Sequence, residues 1–136
     1  MRVNLKAILS LALIFAAGGA FGGSVLSIRL VEASNSGQGM GTGLGDVAHL
    51  LQNNLPYKTF QLQASRSMSL PANSAASLSY GIVARCSGGQ ENMNVIVERG
   101  GKKIMQTIVE LRDGTPLIIG GLSSAQGKLI LVLLAK

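Results

Sequence analysis

Residues 92–111, NMNVIVERGGKKIMQTIVEL, carry the clearest structural signal in the chain. Two runs, residues 92–99 and 102–111, flank the pair Gly100 and Gly101. A two-residue Gly-Gly loop is typical of a tight hairpin, because both of its residues adopt positive φ angles. The sequence therefore predicts an antiparallel hairpin here.

The register of this hairpin follows from the turn. Three cross-strand pairs are expected: Arg99 with Lys102, Glu98 with Lys103, and Val97 with Ile104. The second is an ion pair on one face, and the third is an apolar pair on the other.

Further strands are predicted on both sides of the hairpin. They comprise residues 25–33, 57–66, 78–86, 117–119 and 128–134. In the first, Leu26, Ile28 and Leu30 share one face, and Ser27 and Arg29 lie on the other. In 78–86, one face is expected to hold Leu78, Tyr80, Ile82, Ala84 and Cys86. Residues 129–134 are continuously apolar, which predicts a strand covered on both faces.

Glycine, proline and small polar residues indicate the connections between the predicted strands. Residues 34–45 contain five glycines and are predicted to form a flexible loop. Residues 67–77, rich in serine and alanine, are expected to be a connection. Residues 112–115, with Asp113 and Gly114, predict a second hairpin turn.

One short helix is expected after the glycine-rich loop. Asp46 is predicted to cap it, with Val47, Leu50 and Leu51 on its buried side and Pro56 limiting its far end. A helix of about nine residues is too short to be stable alone and is expected to dock on the sheet. The predicted fold is mainly β: an antiparallel sandwich or sheet of about seven strands with one short helix.

Residues 1–22 have the order of an export signal. Arg2 and Lys6 precede an apolar run over residues 7–21, and small residues follow. Cleavage is expected after Ala20 or Gly22, because small residues then occupy the −3 and −1 positions. An uncleaved membrane anchor is the alternative, although the run is shorter than the roughly 20 residues of a spanning helix. Residues 23–136 are then a single β-rich domain, periplasmic or extracellular.

Composition excludes several classes of partner and ligand. Without Arg2 and Lys6, ten basic residues remain against six acidic ones, and Lys102 and Lys103 form the only adjacent basic pair. Nucleic-acid binding is not expected, because basic residues do not cluster and aromatic side chains are few. One histidine, one cysteine and scattered carboxylates show no metal-ligand spacing. No cofactor and no metal are predicted.

No catalytic constellation is visible, and the chain is expected not to be an enzyme. His49, the only histidine, lies on the predicted helix without a nucleophile motif. Cys86, the only cysteine, cannot form an internal disulfide and is expected to be buried and inert. The glycine-rich loop lacks the Lys-Ser/Thr ending of a phosphate-binding loop. No catalytic, cofactor-binding or metal residues are therefore assigned.

Residues 105–122, MQTIVELRDGTPLIIGGL, resemble the segment of bacterial secretins in which an Asp-Gly turn joins two strands before Gly-Gly-Leu. Secretins are the outer-membrane channels of secretion and pilus systems. The resemblance implies a secretin-like hairpin in an envelope protein. The proline- and glycine-rich segment that follows in the family is missing, and no functional residue is carried over.

Three functions remain open at this point. The first is a non-enzymatic envelope or secreted domain that acts by protein binding or assembly, through edge strands that pair with an envelope protein or with a second copy. The second is a small-ligand or glycan-binding module, with the 34–45 loop and Tyr57 near a pocket. The third is a small hydrolase that uses His49.

Overall fold

The computed structural model describes residues 25–37 and 39–136. The predicted export signal lies outside these residues. The described elements are β1 (Val25–Ser34), β2 (Gly39–Met40), α1 (Ala48–Asn54), β3 (Thr59–Ser69), β4 (Ala72–Ser77), β5 (Ile82–Gly88), β6 (Met93–Arg99), β7 (Lys102–Val109), β8 (Leu117–Ser123) and β9 (Gly127–Ala135). Single 3-10 turns occupy Gly45–Val47 and Gln90–Asn92.

The strands form two sheets that pack face to face. One has five strands in the order β2-β3-β1-β9-β8, and the other has four in the order β4-β5-β6-β7. All strand pairs are antiparallel except the two-residue pairing of β2 with β3. The mainly β sandwich with one short helix is therefore confirmed, with nine described strands in place of about seven.

Two apolar layers stabilise the sandwich. Between the sheets, alternate residues of β1, β5, β6 and β9 are buried, among them Leu26, Leu30, Ile82, Val95 and Leu131. On the outer face of the five-stranded sheet, Leu44, Val47 and Leu51 pack over Val31, Phe60 and Ile130. Residues 129–134 contribute to both layers, which confirms the strand predicted to be covered on both faces.

The β6–β7 hairpin forms as predicted at its turn. Gly100 and Gly101 have φ angles of 63° and 82°, and Arg99 pairs with Lys102. The predicted Val97–Ile104 pair is wrong, because Ile104 is an extra residue at a bulge and Val97 pairs with Met105. Glu98 lies opposite Lys103, but its carboxylate binds Arg85 at 3.0 Å in place of the expected ion pair.

The segment between residues 67 and 81 differs from the prediction. β3 continues to Ser69 and β4 follows, so the expected connection is mostly strand. Tyr80 is not on a buried strand face. It lies in the β4–β5 turn at φ 61°, beside Gly81 at φ 72°, and is exposed. The sequence pattern does not indicate this strand, because its residues are small and Ala72 and Ala76 are the only buried side chains of β4.

The turn at Asp113 and Gly114 does not close a hairpin. Its flanking strands, β7 and β8, lie in different sheets, so the chain crosses from one sheet to the other here. The paired hairpin implied by the secretin resemblance is therefore not formed by β7 and β8. In the described part of the chain, no helix has the length and apolar character needed to cross a membrane.

Candidate functional site

The outer face of the five-stranded sheet is only partly covered by α1 and the loop before it. Next to this cover lies an open depression with a volume of about 350 Å³, which we call the outer-face depression. Its lining comes from β1, β3, the end of β9 and the loop: Val25, Ser27, Arg29, Gly43, Asp46, Leu62, Ser65, Leu134 and Lys136.

Arg29 is the central polar residue of this depression. The alternation of β1 turns its side chain to the outer face, where the loop covers it until only 9% of the side chain is exposed. Its guanidinium donates from Nη1 to Asp46 Oδ1 at 2.8 Å and from Nη2 to Asp46 Oδ2 at 2.9 Å. Nη1 also donates to the Gly43 carbonyl oxygen at 3.0 Å. Arg29 therefore attaches the loop to the sheet.

Asp46 has a different role from the predicted one. It lies in the 3-10 turn before α1, whose N-cap is Val47, and no side chain caps the helix. The predicted Asp46 cap is wrong because Arg29 takes both carboxylate oxygens. This hydrogen-bonded ion pair lowers the pKa of Asp46 below its ordinary value, and partial burial opposes the shift only in part.

The glycine-rich loop provides part of this site. Met40 belongs to β2, Gly41 donates its N–H to the Phe60 carbonyl oxygen at 2.7 Å, and Leu44 is fully buried. A Cβ at Gly43 would approach the Leu62 side chain to 2.9 Å, and Gly43 has φ 83°. Glycine here allows the backbone to lie against the sheet with its carbonyl toward Arg29.

The residues singled out in the sequence lie apart from one another. His49 is exposed on α1, over the outer face, whereas Cys86 is buried between the sheets. The predicted burial of Cys86 is therefore confirmed, and this burial raises the pKa of its thiol to about 11. Tyr57 packs at the margin of the outer apolar layer and does not line the depression. Among residues 25–37 and 39–136, no cluster of three metal-ligating side chains is found.

The second candidate feature is β7, the edge strand of the four-stranded sheet on the side opposite to β4. β7 ends this sheet and pairs with β6 alone among the described strands. It begins with the exposed Lys102 and Lys103, and Ile104 is 41% exposed, which is unusual for a large apolar side chain in this protein. β8 is likewise an edge strand, and its pairing with β9 has a register break between Ile119 and Leu122, as the pairing of β7 with β6 has one at Ile104.

Fold and site together define a two-sheet β-sandwich with an open depression on one face and an exposed strand edge on the other sheet. The comparisons with known proteins add nothing to this description: no protein-family model, no curated protein and no solved structure matches the chain.

Proposed function

We propose that the chain is a non-enzymatic exported domain that works by assembly, and that it assembles with a second copy of itself through the edge of β7. The observation that carries this proposal is the exposed edge of β7 with its apolar Ile104. Edge strands offer unpaired backbone groups that add a partner strand readily. The uninterrupted pairing of β6 with residues 105–109 keeps that part of the edge regular.

One antiparallel register of two β7 strands brings apolar side chains of the two copies together. Pairing two copies about Gln106 sets Ile104 opposite Ile108 of the other copy and Lys103 opposite Val109. Around Gln106, where the edge is regular, residues of like parity meet, so backbone groups that face the edge in one copy meet those of the other. Ile104 lies at the bulge, at the end of this regular stretch. The two four-stranded sheets would form one continuous sheet, and Ile104 would be covered.

A disulfide test examines this register directly. Directly opposed residues of antiparallel strands have Cα atoms about 4.5–5.5 Å apart, within the span of a disulfide. Gln106→Cys is therefore expected to form a disulfide-linked dimer on mild oxidation. The control is Lys103→Cys, on the same strand and also exposed, whose two copies would lie about 20 Å apart. Cys86 is buried and does not compete.

Sedimentation of the exported protein provides the second test. The unmodified chain is expected to be dimeric, and Ile104→Lys is expected to shift it toward monomer. Asn53→Lys, on the exposed side of α1, is the charge-matched control and should leave the dimer intact. A monomer at the highest attainable concentration, or equal cross-linking of the two cysteine variants, contradicts the proposal.

Export is supported by the order of charges and apolar residues in residues 1–22. Intact-mass measurement of the protein recovered outside the cytoplasm tests it. The expected mass corresponds to cleavage after Ala20 or Gly22, and an uncleaved product would mean that the leader tethers the domain to a membrane. A chain found only in the cytoplasm contradicts export.

Ligand binding is the second candidate function, and the outer-face depression is the observation that favours it. The volume of about 350 Å³ falls in the range typical of small-molecule sites. Charged, hydroxyl and apolar side chains meet in it.

A further inference from the structure

The guanidinium of Arg29 has hydrogen-bonding capacity beyond its contacts with the loop. Arginine has five N–H donors. Asp46 and Gly43 accept from both hydrogens of Nη1 and from one of Nη2. The second Nη2 hydrogen and the Nε hydrogen point in the same direction, as a planar fork. Nε is buried and has no hydrogen-bond partner in the described part of the chain.

Two cationic side chains and one carboxylate line the depression around this fork. Arg29 and Asp46 neutralise each other as a bidentate pair, and Lys136 lines the same depression. Ser27, on the same strand as Arg29, and Ser65, on the neighbouring strand β3, also line the depression. The side chains alone carry one excess positive charge, which matches a ligand with one negative charge, and the Asp46 carboxylate repels a dianion more strongly than a monoanion.

The remaining lining is apolar. Leu62 from β3, Leu134 from β9 and Val25 from β1 line the depression together with the polar groups. Val25 is 42% exposed, so its apolar surface is available for contact. A ligand that combines an anionic group with a short aliphatic body would satisfy both parts of the lining.

We propose that the outer-face depression binds a small organic monocarboxylate with an aliphatic body, which rests on the second candidate function above. The carboxylate accepts hydrogen bonds from Nε and Nη2 of Arg29, and Lys136 adds a favourable charge. The planar fork matches carboxylate geometry. Because Nε is buried, binding requires the groups that cover it to move aside, and the gained hydrogen bond satisfies a buried donor.

The test is a titration of the exported protein with sodium hexanoate, followed through the ¹⁵N–¹H resonance of Arg29 Nε. Hexanoate at concentrations on the order of 10 mM, suited to weak small-ligand binding, is expected to shift this resonance and to slow its exchange with water. Hexan-1-ol and hexylamine have the same body without the anion and are expected to leave it unchanged. Hexyl phosphate is expected to bind more weakly than hexanoate.

Two lysine variants distinguish binding in the outer-face depression from a general effect of the protein's net charge. Lys136→Gln is expected to weaken hexanoate binding about threefold, as for an exposed charge contact. Lys128→Gln removes the same charge about 27 Å along the chain direction of β9 and is expected to leave the affinity unchanged.

Several results would overturn the assignment. An Arg29 Nε resonance that hexanoate does not move contradicts the site, and an equal response to hexan-1-ol contradicts anion recognition. Tighter binding of hexyl phosphate contradicts the monocarboxylate class. Equal losses in the two lysine variants would show a general effect of net charge. The titration monitors Arg29, on the five-stranded sheet, whereas the proposed dimer forms through β7 of the other sheet. A negative titration is therefore distinguishable from a failure to dimerise.

Discussion

Arg29 and Asp46, 17 residues apart in the sequence, are joined by two parallel hydrogen bonds of 2.8 and 2.9 Å. Arg29 lies on a central strand of the five-stranded sheet, and Asp46 lies in the loop that covers it. Only 9% of the Arg29 side chain is exposed, against 49% of Asp46. The pair therefore fixes the loop over the sheet and leaves one side of the carboxylate open to solvent.

Removing the carboxylate should destabilise the domain. Asp46→Ala leaves Arg29 buried without its counter-ion, and the free energy of unfolding is expected to fall by about 2 kcal/mol, below the value for a fully buried pair because Asp46 is half exposed. Urea denaturation measures the change. Asp113→Ala is the matched control, because it removes an exposed carboxylate that accepts one hydrogen bond, from Gln90 at 2.8 Å, with an expected loss under about 1 kcal/mol. Equal losses would contradict a special role for the Arg29–Asp46 pair.

The Arg29–Asp46 pair should make the free energy of unfolding depend on pH in the acidic range. Arg29 lowers the pKa of Asp46 in the folded chain below the ordinary value of 3.8. A carboxyl group whose pKa is lower in the folded than in the unfolded chain stabilises the fold at pH values above its unfolded pKa. This stabilisation is lost as the pH falls through the folded pKa. The stability difference between the natural chain and Asp46→Asn is therefore expected to be constant from about pH 7 to 5 and to shrink below about pH 4. A difference that stays constant into stronger acid would argue against this linkage.

Cys86 should react with thiol reagents only after unfolding. Its thiol lies between the sheets, and burial raises its pKa from 9.0 to about 11, which lowers the thiolate fraction at pH 8 about 100-fold. Alkylation by iodoacetamide at pH 8 is expected to be at least that much slower in the folded chain than in urea. Rates within a few-fold of each other would mean that β5 opens readily.

Gly127 should not tolerate a side chain. A Cβ there would collide with the Ala33 carbonyl oxygen on the neighbouring strand, and Gly127→Ala is expected to lower the free energy of unfolding by about 2–3 kcal/mol because the backbone must shift. Gly45→Ala is the control, since nothing lies within 4 Å of its added Cβ. Thermal or urea unfolding compares the two, and a neutral Gly127→Ala would show that β1 and β9 separate easily at this end.

Local chemistry allowed much of the fold to be predicted. Alternation placed β1 and most of β3, and the two glycines at positions 100 and 101 placed the hairpin of β6 and β7. The continuous apolar run in β9 indicated a strand with apolar layers on both faces. Each of these features depends on residues close in sequence. By contrast, β4 was missed because alanines and serines give little contrast between its two faces.

The candidate site required the tertiary structure. Arg29 alternates with apolar residues in β1, so its sequence pattern is that of a solvent-facing strand position, and Asp46 has the pattern of a helix cap. Both patterns describe local hydrogen bonding, and neither shows that the loop folds back over β1. The ion pair forms because a guanidinium covered by the loop is costly to bury without a counter-ion.

The sequence by itself determined that the chain is rich in β-strands, where the β6–β7 hairpin turns, and which residues of β9 are apolar. Only the tertiary structure decided that the turn at Asp113 and Gly114 carries the chain from one sheet to the other. A glycine with a positive φ serves a hairpin and a crossover equally well. Which of the two forms depends on how the apolar faces of distant strands pack together, and that is a property of the whole chain.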